Sequence, residues 1–198
     1  SSGNVYSESI SSALINIPIL FTILYDVENG YFDMDYSIHF NYELNGRGYI
    51  SSSNDGEYLS ISTLIYAMLC YSDNNAANSL MTFLGLAHIE DVCDYYGYGS
   101  VELNAKIGFT SSSSENYVSA ADVAGMLEFI WNDGFSGGRS FLLENLYIVD
   151  STAGSGLGAS IHDDYVFMNH NGVRSDLYNE AAIVDNGSET YIVVFMAC

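Results

Sequence analysis

The sequence predicts an α+β domain, a helical lobe packed on an antiparallel sheet, spanning residues 1–198. Three observations carry this reading. Apolar residues recur at helical spacing from about residue 13 to about residue 150. Strand signals begin near residue 164 and run to about residue 197. Asp185-Asn186-Gly187-Ser188 is a hairpin turn between the last two strands.

The elements follow in order. Ser9 to Ser12 is mostly polar. Ala13 to Val27 reads as a helix, with Leu14, Ile17, Leu20, Phe21 and Leu24 at helical spacing. Pro18 falls early, where a missing N–H matters least, and Asn29-Gly30 ends the helix. Gly30 to Tyr58 is rich in Asp, Asn, Ser and Gly and is expected to be irregular. Leu59 to Tyr71 is a second helix, capped by Ser60 and stapled by Leu59 and Leu64. A third helix carries Ala76, Ala77, Leu80 and Leu84 and ends at Gly85; a fourth runs from Ala87 to Tyr96. Gly97 to Tyr117 is a loop. Ser119 then caps a helix, with Asp122 at the reciprocal capping position and a Val118–Val123 staple. Phe141 to Val149 is one more helical segment, and Ser151 to Ser160 a loop. Strands are expected at Tyr165–Met168, Ala181–Val184 and Tyr191–Met196, the last central or covered on one face.

Composition excludes several roles. Four basic residues stand against 25 acidic ones, a formal net charge of −21. Such a field repels nucleic acid and anionic membranes. Ile17 to Tyr25, apolar apart from Thr22, is bounded by Asn16 and Asp26 and is too short to span a bilayer. No signal peptide is visible, and Ser-Ser-Gly looks like the start of a mature or trimmed chain. Cys70, Cys93 and Cys198 lack metal spacing and form no disulfide framework, so their redox state is open. His162-Asp163-Asp164 fits a polar turn before a strand better than a metal site, and His88 with Asp91 fits a helix-surface pair. No metal and no cofactor is expected. Trp131, Tyr95 and Tyr96 read as core and rim, while Tyr71 is open between cleft and core.

Chemistry concentrates in three short stretches. Ser72-Asp73-Asn74 lies at a helix junction, where a hydroxyl can pass a proton and an amide can bind an amide. The same letters are also ordinary helix-start residues. Ala13-Leu14-Ile15-Asn16-Ile17-Pro18-Ile19 lies about sixty residues before it, and His170-Asn171-Gly172 roughly a hundred after it. In this order the three resemble the class A β-lactamase and penicillin-binding-protein superfamily, whose motifs are Ser-x-x-Lys, Ser-Asp-Asn and Lys-Thr-Gly. Gly30 to Asp35, Asn116 to Asp122 and Glu180 to Val184 resemble its framework.

The resemblance implies a β-lactamase/transpeptidase-like fold and a cleft where Ala13, Ser72 and His170 converge. It also implies an extracytoplasmic, bacterial setting. The family usually has two strands before the Ser helix and a helix after the last strand. A domain reduced at both ends is therefore expected, with an open sheet edge that invites self-association. The departures fall on the chemistry. Ala13 stands at the nucleophile position and Asn16 at the base position, while His170 and Asn171 replace Lys and the hydroxyl residue. Glu102-Leu103-Asn104 has the letters of the deacylating loop at the wrong spacing.

Three functions follow as expectations. One is an inactive β-lactamase-like domain whose cleft binds a peptide-like or carboxylate ligand through Ser72, Asn74, His170, Asn171, Gly172 and Arg174. The second is a hydrolase with a displaced nucleophile, Ser72 or Ser12, and His170 as base. The third is a structural or interaction domain. Arg174 presents a fork suited to a carboxylate, although pairing with Asp176 accounts for it as well. A charged His170 would strengthen anion binding toward about pH 6.

Overall fold

The computed structural model describes residues 6, 8–44, 48–109, 114–146, 166–174 and 177–197, without the side chains of Glu8, Val173 and Arg174. The first strand, β1 (Glu8–Ile10), leads into a 3-10 turn at Ser12–Ile15 and then helix α1 (Asn16–Glu28). The first predicted helix thus opens as a tighter turn. Nearly every side chain of α1 is buried, Ile17, Leu20, Phe21 and Ile23 completely. An apolar helix with no polar face must be enclosed, and α1 packs against α2 (Ile61–Tyr71), α3 (Asn74–Leu84), α4 (Leu86–Tyr95) and α5 (Ala120–Trp131). Pro18 cannot donate within the first turn, and its carbonyl accepts the Thr22 hydroxyl at 3.0 Å.

The caps form largely as the sequence indicates. Ser60 accepts the Thr63 N–H at 3.2 Å, and Ser119 accepts the Asp122 N–H at 3.1 Å. Asp122 differs from expectation: its carboxylate takes the Ser100 N–H and hydroxyl, at 2.9 and 2.6 Å. The Ser100 hydroxyl in turn accepts the Ser119 N–H at 2.8 Å. Aspartate is one methylene shorter than the Glu or Gln of a capping box, and here Ser100 bridges the gap. α6 (Gly138–Leu146) starts three residues before the predicted Phe141, where Asp133 accepts the Arg139 N–H at 3.0 Å. The expected loop at Ser151–Ser160 lies outside the described residues, as does His162-Asp163-Asp164.

The region from Gly30 to Tyr58 is less irregular than predicted. β2 (Ser37–His39) pairs antiparallel with β3 (Tyr58–Ser60), which takes Leu59 out of α2. β1 pairs with β4 (Tyr117–Ser119). The main sheet has the order β5-β6-β7, from β5 (Val166–Arg174), β6 (Leu177–Asp185) and β7 (Thr190–Ala197). The β6–β7 turn is the Asn-Gly one, with Gly187 at φ +82° and Asn186 Oδ1 accepting the Ser188 and Glu189 N–H groups. β7 is an edge strand among the described residues, not a central one. α5 packs on the sheet at β7, with Ile192, Val194 and Met196 against the core, while Tyr191, Val193 and Phe195 are exposed. Trp131 belongs to the core and Tyr95 to the surface. No described helix is long and apolar enough to cross a membrane.

Candidate functional site

The 3-10 turn at Ser12–Ile15 is held from three sides. The Ser11 N–H donates to the Asn116 carbonyl at 2.8 Å. The Asn179 amide of β6 donates to the Ile10 and Ser11 carbonyls at 2.8 and 3.3 Å. β5 passes so close that a Cβ at Gly172 would lie 2.5 Å from the Ala13 nitrogen and 2.6 Å from Ser12 Oγ. Only glycine permits this approach. The result is a cleft of about 450 Å³ with Ser12, Ala13, Ser72, Asn74, Asn171 and Gly172 among its lining residues. The structure thus brings these residues together at one cleft. The side chain of Arg174, at the end of β5 in register with Leu177, lies outside the described residues.

Ser72 ends α2 in the left-handed conformation, φ +50°, and Ser12 has φ +48°. Each such non-glycine residue costs about 1 kcal/mol. Of the three described non-glycine residues with positive φ, two line this cleft. Asp73 turns inward. It is 1% exposed, and its carboxylate accepts the Asn75 and Ala76 N–H groups at 2.9 and 3.1 Å, capping α3. Its other oxygen accepts the Ile50 N–H at 2.9 Å and so holds the 48–50 strap on the helix junction.

His170 takes a different place from the one its motif suggests. It is 3% exposed and lies outside the residues lining the cleft. The tautomer with its proton on Nδ1 lets Nδ1 donate to the Leu69 carbonyl at 3.1 Å and leaves Nε2 to accept from Asn16. Nε2 is 3.0 Å from Asn16 Nδ2, which donates to it, and 3.2 Å from the Ala13 carbonyl. Asn16 and His170 are thus bonded to each other. Asn16 Oδ1 is left as a buried oxygen without a partner among the described residues.

Burial pushes the His170 pKa below its ordinary 6.5, and the Leu69 and Ala13 carbonyls pull it partly back. The unfolded chain therefore binds the proton more readily than the folded one. The stability this neutral ring supports is complete above pH 6.5 and is lost as pH falls below it, by at most about 1.4 kcal/mol per pH unit. Asp26 works in the opposite direction: burial raises its carboxyl above 3.8, with His88 offsetting part. Comparison of variants separates the two. Between pH 7 and pH 5, native protein should lose more urea stability than His170→Gln, which has no ring to protonate.

Several residues that build the rim carry no sequence signal beyond being Asn. Asn75 Oδ1 accepts the Glu43 and Leu44 N–H groups and Nδ2 donates to the Leu44 carbonyl. Asn78 pairs the same way with Ile107. Asn116 holds Asn104 and Ala105. Each amide imitates a backbone partner, and Lys106 to Glu43 at 2.7 Å clips the two loops together. A long polar connection flanked by buried Asn is the signal that could have revealed them. Glu102 does not line the cleft; it accepts the Asn104 amide at 2.8 Å. His88 pairs with Asp26 at 2.9 Å instead of Asp91. No group of three or more metal-ligating side chains occurs among the described residues.

The model of the β-lactamase enzyme family matches residues 6–197. No curated protein matches the chain. Among solved structures, a β-lactamase from Sphaerobacter thermophilus DSM 20745 superposes with a TM-score of 0.84 at 19% identity, covering 98% of this chain and 76% of that one. A β-lactamase from Chitinophaga pinensis DSM 2588 gives 0.82 at 21% identity, covering 100% and 80%. PBP-A gives 0.83 at 17% identity, covering 96% and 72%. These likenesses show the fold, and with the family match over nearly its whole length, the chain belongs to the β-lactamase enzyme family.

Proposed function

We propose that this β-lactamase-like domain forms no acyl-enzyme and that its cleft binds a small peptide-like ligand reversibly. The supporting observation is the 3.0 Å hydrogen bond between Asn16 and His170, beside Ala13. Acyl transfer needs a nucleophile with a base next to it. Ala13 offers a methyl group, and Asn16 offers a neutral amide already engaged by the imidazole. Ser12 and Ser72 remain as hydroxyls at the cleft. The ring nitrogens of His170, however, are directed to Leu69, Ala13 and Asn16. The Ser72 hydroxyl and the Asn74 and Asn171 amides supply alternating donors and acceptors suited to a peptide backbone. Arg174, two residues past Gly172, is assigned the ligand's carboxylate. The two strained serines agree with this reading, since such backbone strain persists chiefly at working sites.

Intact mass after incubation with a penicillin tests the first half. No added mass is expected, and a stable increase on Ser12 or Ser72 would replace this reading with a displaced-nucleophile hydrolase. Calorimetric titration with a D-alanyl dipeptide tests the second half. Native protein should bind, and Asn74→Leu or Arg174→Ala should weaken binding about tenfold, the worth of one charge-assisted hydrogen bond. No binding, or equal binding by all three proteins, would leave a structural or interaction domain.

A further inference from the structure

Three tyrosines stand together beside the cleft, outside the residues that line it. The rings of Tyr49 and Tyr71 are stacked, centroids 4.5 Å apart at 25°. Tyr66 meets both edge-on, at 5.4 and 5.6 Å. The Tyr66 and Tyr71 hydroxyls are 3.4 Å apart. Tyr49 is 50% exposed and Tyr71 48% exposed, so the stack leaves ring surface open. Its position is fixed. Tyr71 directly precedes Ser72, and Tyr49 directly precedes Ile50, whose N–H is held by Asp73 at 2.9 Å. A Cβ at Gly48 would lie 2.6 Å from the same Asp73 oxygen. The platform is therefore tied to the residue that caps the helix bearing Asn74.

The chemistry around it is mostly uncharged. The described lining residues of the cleft offer hydroxyls and amides, and Glu115 is the one ionisable side chain among them. The chain's net charge of −21 turns away polyanions but is indifferent to a neutral ligand. An aromatic face beside hydroxyl and amide groups matches a ring with an apolar C–H face and a polar edge. We propose that the outward face of the Tyr49–Tyr71 stack takes one ring of a neutral oligosaccharide, each tyrosine backing the other, and that the next unit reaches Ser72 and Asn74. Only that second contact rests on the cleft being a reversible ligand site.

The test is calorimetric titration of the full chain with cellotriose and with tri-N-acetylchitotriose. At least one should bind saturably, and Tyr49→Leu or Tyr71→Leu should weaken it about tenfold. Tyr95→Leu, which removes a tyrosine 79% exposed elsewhere, should leave binding unchanged. Thermal melts of the exposed-residue variants should match the native protein. No saturable binding by either sugar, or equal weakening by Tyr95→Leu, overturns the proposal. The D-alanyl dipeptide separates the two readings. Sugar binding without peptide binding keeps the platform and removes the peptide assignment; peptide binding without sugar binding does the reverse.

Discussion

Asp73→Ala should destabilise the fold by about 3 kcal/mol, the sum of a lost helix cap and a stranded buried N–H. The carboxylate serves the Asn75, Ala76 and Ile50 N–H groups together, and alanine can serve none of them. Asp73 is 1% exposed, so water cannot take its place without opening the junction. In a chain of this length the loss corresponds to a fall in Tm of roughly 10 °C. Asp73→Asn keeps one acceptor oxygen and should lose about half as much. Differential scanning calorimetry of the three proteins measures the series. Equal Tm values would show that the Ser-Asp-Asn turn is held by something other than this carboxylate. Because the same residue holds the 48–50 strap, Asp73→Ala should also loosen Tyr49 from Tyr71.

Gly172→Val should cost a further large amount, about 3 kcal/mol, by overpacking. The first atom a new Cβ meets is the Ala13 backbone nitrogen at 2.5 Å, which no rotamer change can move. Ser12 Oγ and the Ala13 Cβ follow at 2.6 and 2.8 Å. Either β5 shifts from the 3-10 turn or the turn gives way, and both routes alter the cleft wall. Gly172→Ala brings the same first collision with less bulk and should cost less. The measurement is the urea midpoint, followed by dipeptide titration of whichever variant remains folded. Full stability in Gly172→Val would mean that the strand and the turn are not in contact.

Much of the fold was legible because its signals are local. Ser60 and Ser119 announce the starts of α2 and α5, and each cap is made. Asn186-Gly187 announces the β6–β7 hairpin. The β2–β3 pair was not legible, since three-residue strands carry too few alternations to stand out from a polar loop. The edge position of β7 was not legible either, because a central strand and one covered on one face, as β7 is by α5, share an apolar run. The rim escaped for a different reason. Asn75, Asn78 and Asn116 act through backbone groups 11 to 32 residues away, and an amide that binds backbone has no preferred spacing.

The candidate site divides along the same line. By itself the sequence determined that residues 13 and 16 are Ala and Asn, that Ser72-Asp73-Asn74 lies between two helical patterns, and that helices precede a hairpin sheet. Identity at a position and periodicity along a segment are properties of the chain alone. The tertiary structure decided where His170 goes. The ring is drawn under the cleft because Asn16, 154 residues away, and the Leu69 and Ala13 carbonyls close around it. It also decided that Tyr49 and Tyr71 meet, since the strap carrying one is fixed to the helix junction following the other. Such contacts depend on how closely two backbones approach, and that distance is set by packing of the whole core.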